Sequence, residues 1–85
     1  MSRFFLRELA AGEGVTVDAA LAYRLTLIAG AGATITYSRV DSVYAEEHDT
    51  PSEETVAAGE VNSLEVDWPF YRISVAGGTA RVAWV

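Results

Sequence analysis

Apolar residues in this chain recur at every second position and almost never at the three-to-four spacing of a helix. In AYRLTLIAG (22–30), Tyr23, Leu25 and Leu27 alternate with Arg24, Thr26 and Ile28. In ATITYSRV (33–40), Ile35 and Tyr37 alternate with Thr34, Thr36 and Ser38. SLEVDW (63–68) sets Leu64, Val66 and Trp68 on one face and Glu65 and Asp67 on the other. FYRISV and TARVAWV follow the same rule, the latter with Ala80, Val82 and Trp84 on one side. β-Branched and aromatic residues fill these runs, as pleated, half-buried strands require. Glycines at 12–14, 30–32, 59 and 77–78 interrupt them as turns, AGAG and AGG reading as hairpin loops. A chain with period two must pair into sheets and bury one face of each. The expectation is an all-β protein, and 85 residues leave room for one core, so residues 1–85 form a single domain.

A word is also said twice. LAAGE at 9–13 returns as VAAGE at 56–60. Around it, LAAGEGVTVD (9–18) answers VAAGEVNSLEVD (56–67), and AYRLTLIAGAGATITY (22–37) answers FYRISVAGGTARVAW (70–84). Tyr23–Arg24 then matches Tyr71–Arg72, and Tyr37 matches Trp84. The ordered series reads as an internal duplication of 9–37 in 56–84, with small shifts confined to turns. AAGE is expected to be the turn that launches each unit, its Gly supplying a permissive backbone and its Glu facing water. Two similar three-strand halves, each covering the other's apolar face, predict a compact six- to seven-stranded sandwich or flattened barrel. The seventh strand would be FFLREL, and residues 40–55 would be an acidic loop extending a strand at most through Val43. Pro69, in DWPFYR, marks a corner.

Net charge is −6, unevenly spread. Residues 41–67 hold nine acids and no Arg or Lys. Such a surface repels phosphate, which argues against nucleic acid and anionic membranes as partners. No apolar run approaches the length of a membrane span, and Arg7–Glu8 cut short any signal-peptide core, so a soluble, non-secreted chain is expected. With no cysteine, disulfides and thiolate chemistry are excluded. All six basic residues are Arg, which suits planar pairing with carboxylates across an interface and equally reflects codon bias.

Catalytic motifs are sparse. His48, the single histidine, sits in EEHD (46–49), where neighbours on an extended chain point to opposite sides and no second His or Cys supplies ligand spacing. Asp41, Glu46 and Asp49 lack the glycine-containing loop of a calcium site. No serine stands in a G-x-S-x-G context to pair with His48. AGAG (29–32) and AGG (76–78) lack the following Lys–Ser/Thr of a phosphate loop. No enzyme, metal or cofactor is expected. The aromatic set Tyr23, Tyr37, Trp68, Phe70, Tyr71 and Trp84 allows a sugar-stacking platform, but alternation assigns Trp68 and Trp84 to the core. Candidate partner contacts are Phe4, Phe5 and Leu6 in the N-terminal arm, Tyr44, Glu46 and Glu47 in the acidic loop, and Arg81 and Val85 in the closing strand. The chain opens almost at once on FFL and closes on a strand, so both ends are expected to be pinned.

The run LAAGEGVTVD…LTLIAGAGATITYSRVDS…FYRISVAGGTARVAWV resembles the small β-structured accessory proteins of tailed bacteriophage particles. These are decoration (cement) proteins of the head and small head–tail or tail proteins. The likeness lies in size, composition and turn rhythm, above all the closing GGTARVAWV, and carries no functional residue over. It implies a non-enzymatic structural virion protein, made in the host cytoplasm. Such a protein self-associates, often as a trimer, and stabilises the particle through repeated contacts with shell or tail proteins. The alternative is a small carbohydrate- or peptide-binding β-module.

Overall fold

The computed structural model describes residues 5–20, 22–41 and 53–85. The candidates Phe4, Tyr44, Glu46 and Glu47, together with His48, lie outside the described residues. Eight strands are present: β1 (Phe5–Leu9), β2 (Gly14–Asp18), β3 (Arg24–Ala29), β4 (Thr34–Val40), β5 (Glu54–Val56), β6 (Val61–Glu65), β7 (Phe70–Ala76) and β8 (Ala80–Trp84). They form two antiparallel four-stranded sheets, in the orders β1-β8-β3-β6 and β2-β7-β4-β5. The protein is an all-β sandwich. β1 pairs with β8, β2 with β7, β3 with β6 and β4 with β5, as in one long ribbon folded at its middle and rolled up. Rolling adds the contacts β8–β3 and β7–β4. This is a jelly-roll winding at very small size.

The core follows the alternation. Leu9, Leu25, Leu27, Ala29, Val82 and Ala80 from one sheet face Val17, Ile35, Tyr37, Val56, Tyr71, Ile73 and Val75 from the other, all nearly or fully buried. Leu64, Val66 and Trp84 pack against its margin.

Three expectations differ from what is found. The described residues hold eight strands rather than six or seven, because Glu54–Val56, at the end of a stretch expected to be loop, pairs with Ile35–Tyr37; three residues carry too little period to register. The halves are not three-strand sheets covering one another. Each contributes four strands, two to either sheet, so neither half has a face of its own. The glycine turns are accordingly arches between sheets rather than hairpins: β3 and β4 lie in different sheets, as do β7 and β8.

The two AAGE words occupy corresponding places in this winding. Exchanging β1–β4 for β5–β8 turns one sheet order into the other, read backwards. Both words form tight turns crossing from sheet to sheet, closed by Glu13 N–H to Ala10 O and Glu60 N–H to Ala57 O, each 3.0 Å. Both then dock on the end of a central strand: Val75 N–H donates to Glu13 O, and Ala29 N–H to Glu60 O. Carried through the ladders, the same exchange matches Leu9 with Val56, Leu25 with Tyr71, Ala29 with Val75, Ile35 with Ala80 and Tyr37 with Val82. All are buried. The apparent pairing of Tyr23 with Tyr71 is displaced by two residues: Leu25 takes the place of Tyr71, while Tyr23 is the most exposed large apolar residue described.

Candidate interaction surface

Up-and-down strand direction sorts the connections into two ends. One end holds the arches 10–13, 30–33, 57–60 and 77–79, made of Ala, Gly, Glu and Thr. The other holds the start of β1, the 19–23 connection, the ends of β4 and β6, the 66–69 corner and the end of β8. Phe5, Tyr23 and Trp68, three of the five exposed large apolar side chains among the described residues, sit at this second end, with exposures of 45%, 79% and 38%. Phe5 stacks on half-buried Trp84, ring centroids 5.5 Å apart and planes 18° from parallel. The Tyr23 carbonyl accepts Val66 N–H, which brings the β2–β3 connection beside the corner that carries Trp68. These three rings make this end the more apolar of the two among the described residues.

A polar brace holds that end rigid. Asp67 Oδ1 accepts Arg39 Nε–H at 2.8 Å and Tyr71 O–H at 2.6 Å, while Tyr71 Oη accepts Asp67 N–H at 3.0 Å. A tyrosine hydroxyl bonded to backbone four residues upstream fixes the corner containing Pro69, as tyrosine corners do in other two-sheet folds. The Arg39 guanidinium lies 5.6 Å from the centre of the Tyr71 ring and reaches Glu54 at 3.5 Å. Asn62 Nδ2–H donates to Tyr37 Oη at 2.9 Å, and Tyr37 O–H donates to Glu54, joining β6 of one sheet to β4 and β5 of the other. Hydrogen bonds from Arg39 and Tyr71 hold the Asp67 carboxyl below its ordinary range. Burial, reinforced by Glu54, pushes Tyr37 up to about 12. Burial raises Tyr71 as well, and Asp67 raises Arg39.

The opposite end has a groove of about 530 Å³ between β1, β8 and the arches, lined by Glu8, Glu13, Ile28, Thr79 and Arg81 among others. Its polar groups are engaged with one another or with backbone. Arg81 Nε–H meets Glu8 at 3.2 Å, and Glu13 Oε1 accepts Ala10 N–H at 2.7 Å. Among the described residues no group of three or more His, Asp or Glu side chains could hold a metal ion.

The structure brings several candidates together. Pairing of β1 with β8 places Phe5 opposite Trp84 and Leu6 opposite Ala83, so the N-terminal arm and closing strand form one surface, with half-buried Val85 beside it. Arg81 lies apart, toward the groove, bonded to Glu8. Trp68 is not in the core as alternation implies: β6 ends at Glu65, the Asp67–Tyr71 corner turns the chain, and the Trp68 indole emerges to donate to Asp41 at 3.2 Å. Val61 takes the face opposite Leu64 and Val66, as the alternation implies, and the edge position of β6 leaves it more exposed than Ile28 in the same row. No family model matches the chain, and neither a curated protein nor a solved structure matches it.

Proposed function

We propose that this chain is a non-enzymatic structural protein that attaches through its aromatic end to a repeated protein surface, as a decoration or other head or tail accessory protein of a virion. The observation that supports this reading is the gathering of Phe5, Tyr23 and Trp68 at one end of the sandwich, held in place by the Arg39–Asp67–Tyr71 brace. Rigid aromatic side chains give large contact area at small entropic cost, and such residues anchor interfaces. Asp18 and Asp41 stand at the same end beside Glu65 and Asp67, which Arg24 and Arg39 pair; the end keeps an acidic excess, so the receiving surface is expected to be mildly basic. A small footprint binds weakly alone and firmly when repeated over a lattice.

The test is quantitative mass spectrometry of density-banded, nuclease-treated particles from the source culture. A fixed ratio of this chain to the major shell protein supports attachment, and the number of copies separates head from tail. Recovery only in the free soluble fraction overturns it. The exposed pair Tyr23 and Trp68 also favours a carbohydrate-binding module. That reading predicts glycan-array binding lost in Tyr23→Ser or Trp68→Ser and absence from particles.

A further inference from the structure

We propose that copies of this chain associate head to tail, the open edge of β6 in one copy pairing antiparallel with the open edge of β1 in the next. The proposal concerns the oligomer that would carry the attachment surface; it rests on the attachment reading for its purpose and not for its geometry.

Four strand edges are open among the described residues. In the second sheet, β5 has three residues and β2 begins on a glycine, so both are poor templates. In the first sheet, β1 and β6 have five residues each, with no Pro, Gly or Lys. The bonds that flank the ladders, Arg24 N–H to Val85 O, Gly30 N–H to Thr79 O, Ala29 N–H to Glu60 O and Val66 N–H to Tyr23 O, fix which backbone groups are used inside the chain. Alternation then leaves the N–H and C=O of Val61, Ser63 and Glu65 facing away from β3, and those of Leu6 and Glu8 facing away from β8. All five of these residues are exposed, Leu6 by 56% and Val61 by 60%.

Three features bear on the pairing of β6 with β1: direction permits it, as it would a two-fold self-pairing, and charge and register favour it over either edge with itself. The first is direction: β1 and β3 run the same way, so β1 of a following copy meets β6 antiparallel, as β3 does. The second is charge. Pairing β1 with itself about its middle sets Arg7 against Arg7. Pairing β6 with itself brings together two margins that each carry Glu54, Glu60, Glu65 and Asp67 against only Arg24 and Arg39, an acidic excess on both sides. Pairing β6 with β1 places Arg7 beside Asn62 and the acidic Glu54 margin. The third is register. The outward row Leu6–Ala83–Thr26–Ser63 continues into Leu6 of the next copy, and the row Glu8–Arg81–Ile28–Val61 into its Glu8. On the inner side, Phe5–Trp84–Leu25–Leu64 continues into Phe5 of the next copy, covering the half-buried Leu64, so in the assembly Phe5 belongs to this contact and Tyr23 and Trp68 are left for attachment. Such a heterologous contact closes as a ring or runs on as a filament.

The chain has no cysteine, so a disulfide reports the contact directly. Leu6→Cys/Ser63→Cys, oxidised, is expected to give a ladder of linked dimers, trimers and higher species on a non-reducing gel, and each single variant only monomer. A dimer from Ser63→Cys alone, or no ladder from the double variant, overturns the proposal. Independently, Ser63→Pro and Leu6→Pro each remove an outward N–H that no strand uses. Each is expected to be monomeric alone by sedimentation velocity, and their mixture to give particles of twice the monomer mass. A mixture that stays monomeric overturns the proposal. If the chain fails both tests yet is found on particles at fixed ratio, only the head-to-tail contact falls and attachment stands.

Discussion

The two ends of the sandwich are built from opposite materials. The arch end is small residues and close backbone; the aromatic end is large rings over a charged brace. At the arch end, sheets must be crossed in a few residues, and little but glycine fits. A Cβ on Gly30 would stand 2.5 Å from Thr79 O, and one on Gly78 2.9 Å from Ala31 O, with Gly78 at φ +87°. At the aromatic end the 66–69 corner is fixed by side chains, Asp67 and Tyr71, and its Trp68 stays at the surface. One end commits its residues to closing the fold, and the other keeps several exposed.

The contrast predicts that stability is most sensitive at the arches. Gly78→Ala combines a left-handed backbone angle with backbone contacts that cannot move aside, and is expected to lose about 3 kcal/mol. Gly12→Ala, where φ is +85° but no atom lies within 4 Å, should lose about 1 kcal/mol. Urea unfolding of both variants decides this. Equal losses would show that backbone angle alone, not close approach, limits the arches.

The brace comes next. Tyr71→Phe removes the hydroxyl that both donates to Asp67 and accepts its N–H, and is expected to cost about 1–2 kcal/mol. Its pH signature has a definite sign. The Asp67 carboxyl is held below its unfolded value, so its contribution is present above about pH 4 and is lost as pH falls through the lower folded value. Asp67→Asn should flatten that acid limb of the stability curve. At the other extreme, Tyr37 is raised to about 12, so the neutral phenol stabilises below about pH 10 and that contribution is lost as pH rises toward 12. Tyr37→Phe should shrink the alkaline limb and leave the share that raised Tyr71 contributes. Chemical denaturation across pH measures both, and an unchanged slope in either variant would take that residue out of the brace.

Legibility differs between the ends for the same reason. Arches are local: AAGE, AGAG and AGG announce turns by composition, and the alternation of the letters around them is enough to mark Leu25, Leu27, Ile35 and Val82 as inward. Sheet membership is not local. Alternation reports which face a residue takes and is silent about which sheet it belongs to, so strands that lie in different sheets, such as β3 and β4, look like hairpin neighbours, and a pairing across the whole chain, such as β1 with β8, leaves no local mark. The aromatic end depends on that missing information. The shared YR letters suggest that Tyr23 and Tyr71 are equivalent, whereas ladder register makes one an exposed ring and the other a buried corner. Trp68 fits the inward period of β6, but the strand stops at Glu65; Pro69 marks the corner in the sequence, and only the Asp67–Tyr71 bond shows that the turn carries Trp68 out with it.

The smallest expected effect on stability is the most telling for function. Tyr23→Ser removes a ring 79% exposed and outside any strand, and should change unfolding free energy by no more than about 0.5 kcal/mol, as surface substitutions usually do. Trp68→Ser removes a ring that is 38% exposed and bonded to Asp41, and should cost more, about 1–2 kcal/mol, from the apolar contact it loses. Association with particles should nonetheless fall steeply, because each copy loses an aromatic anchor and the loss multiplies over a lattice. Cosedimentation of the variants with stripped particles, beside their urea curves, separates the two quantities. If attachment persists at full strength in the double variant, the exposed rings are not the contact, and attachment must be sought on the outer face of the β1-β8-β3-β6 sheet, where Leu6, Ile28 and Val61 stand in reach of solvent.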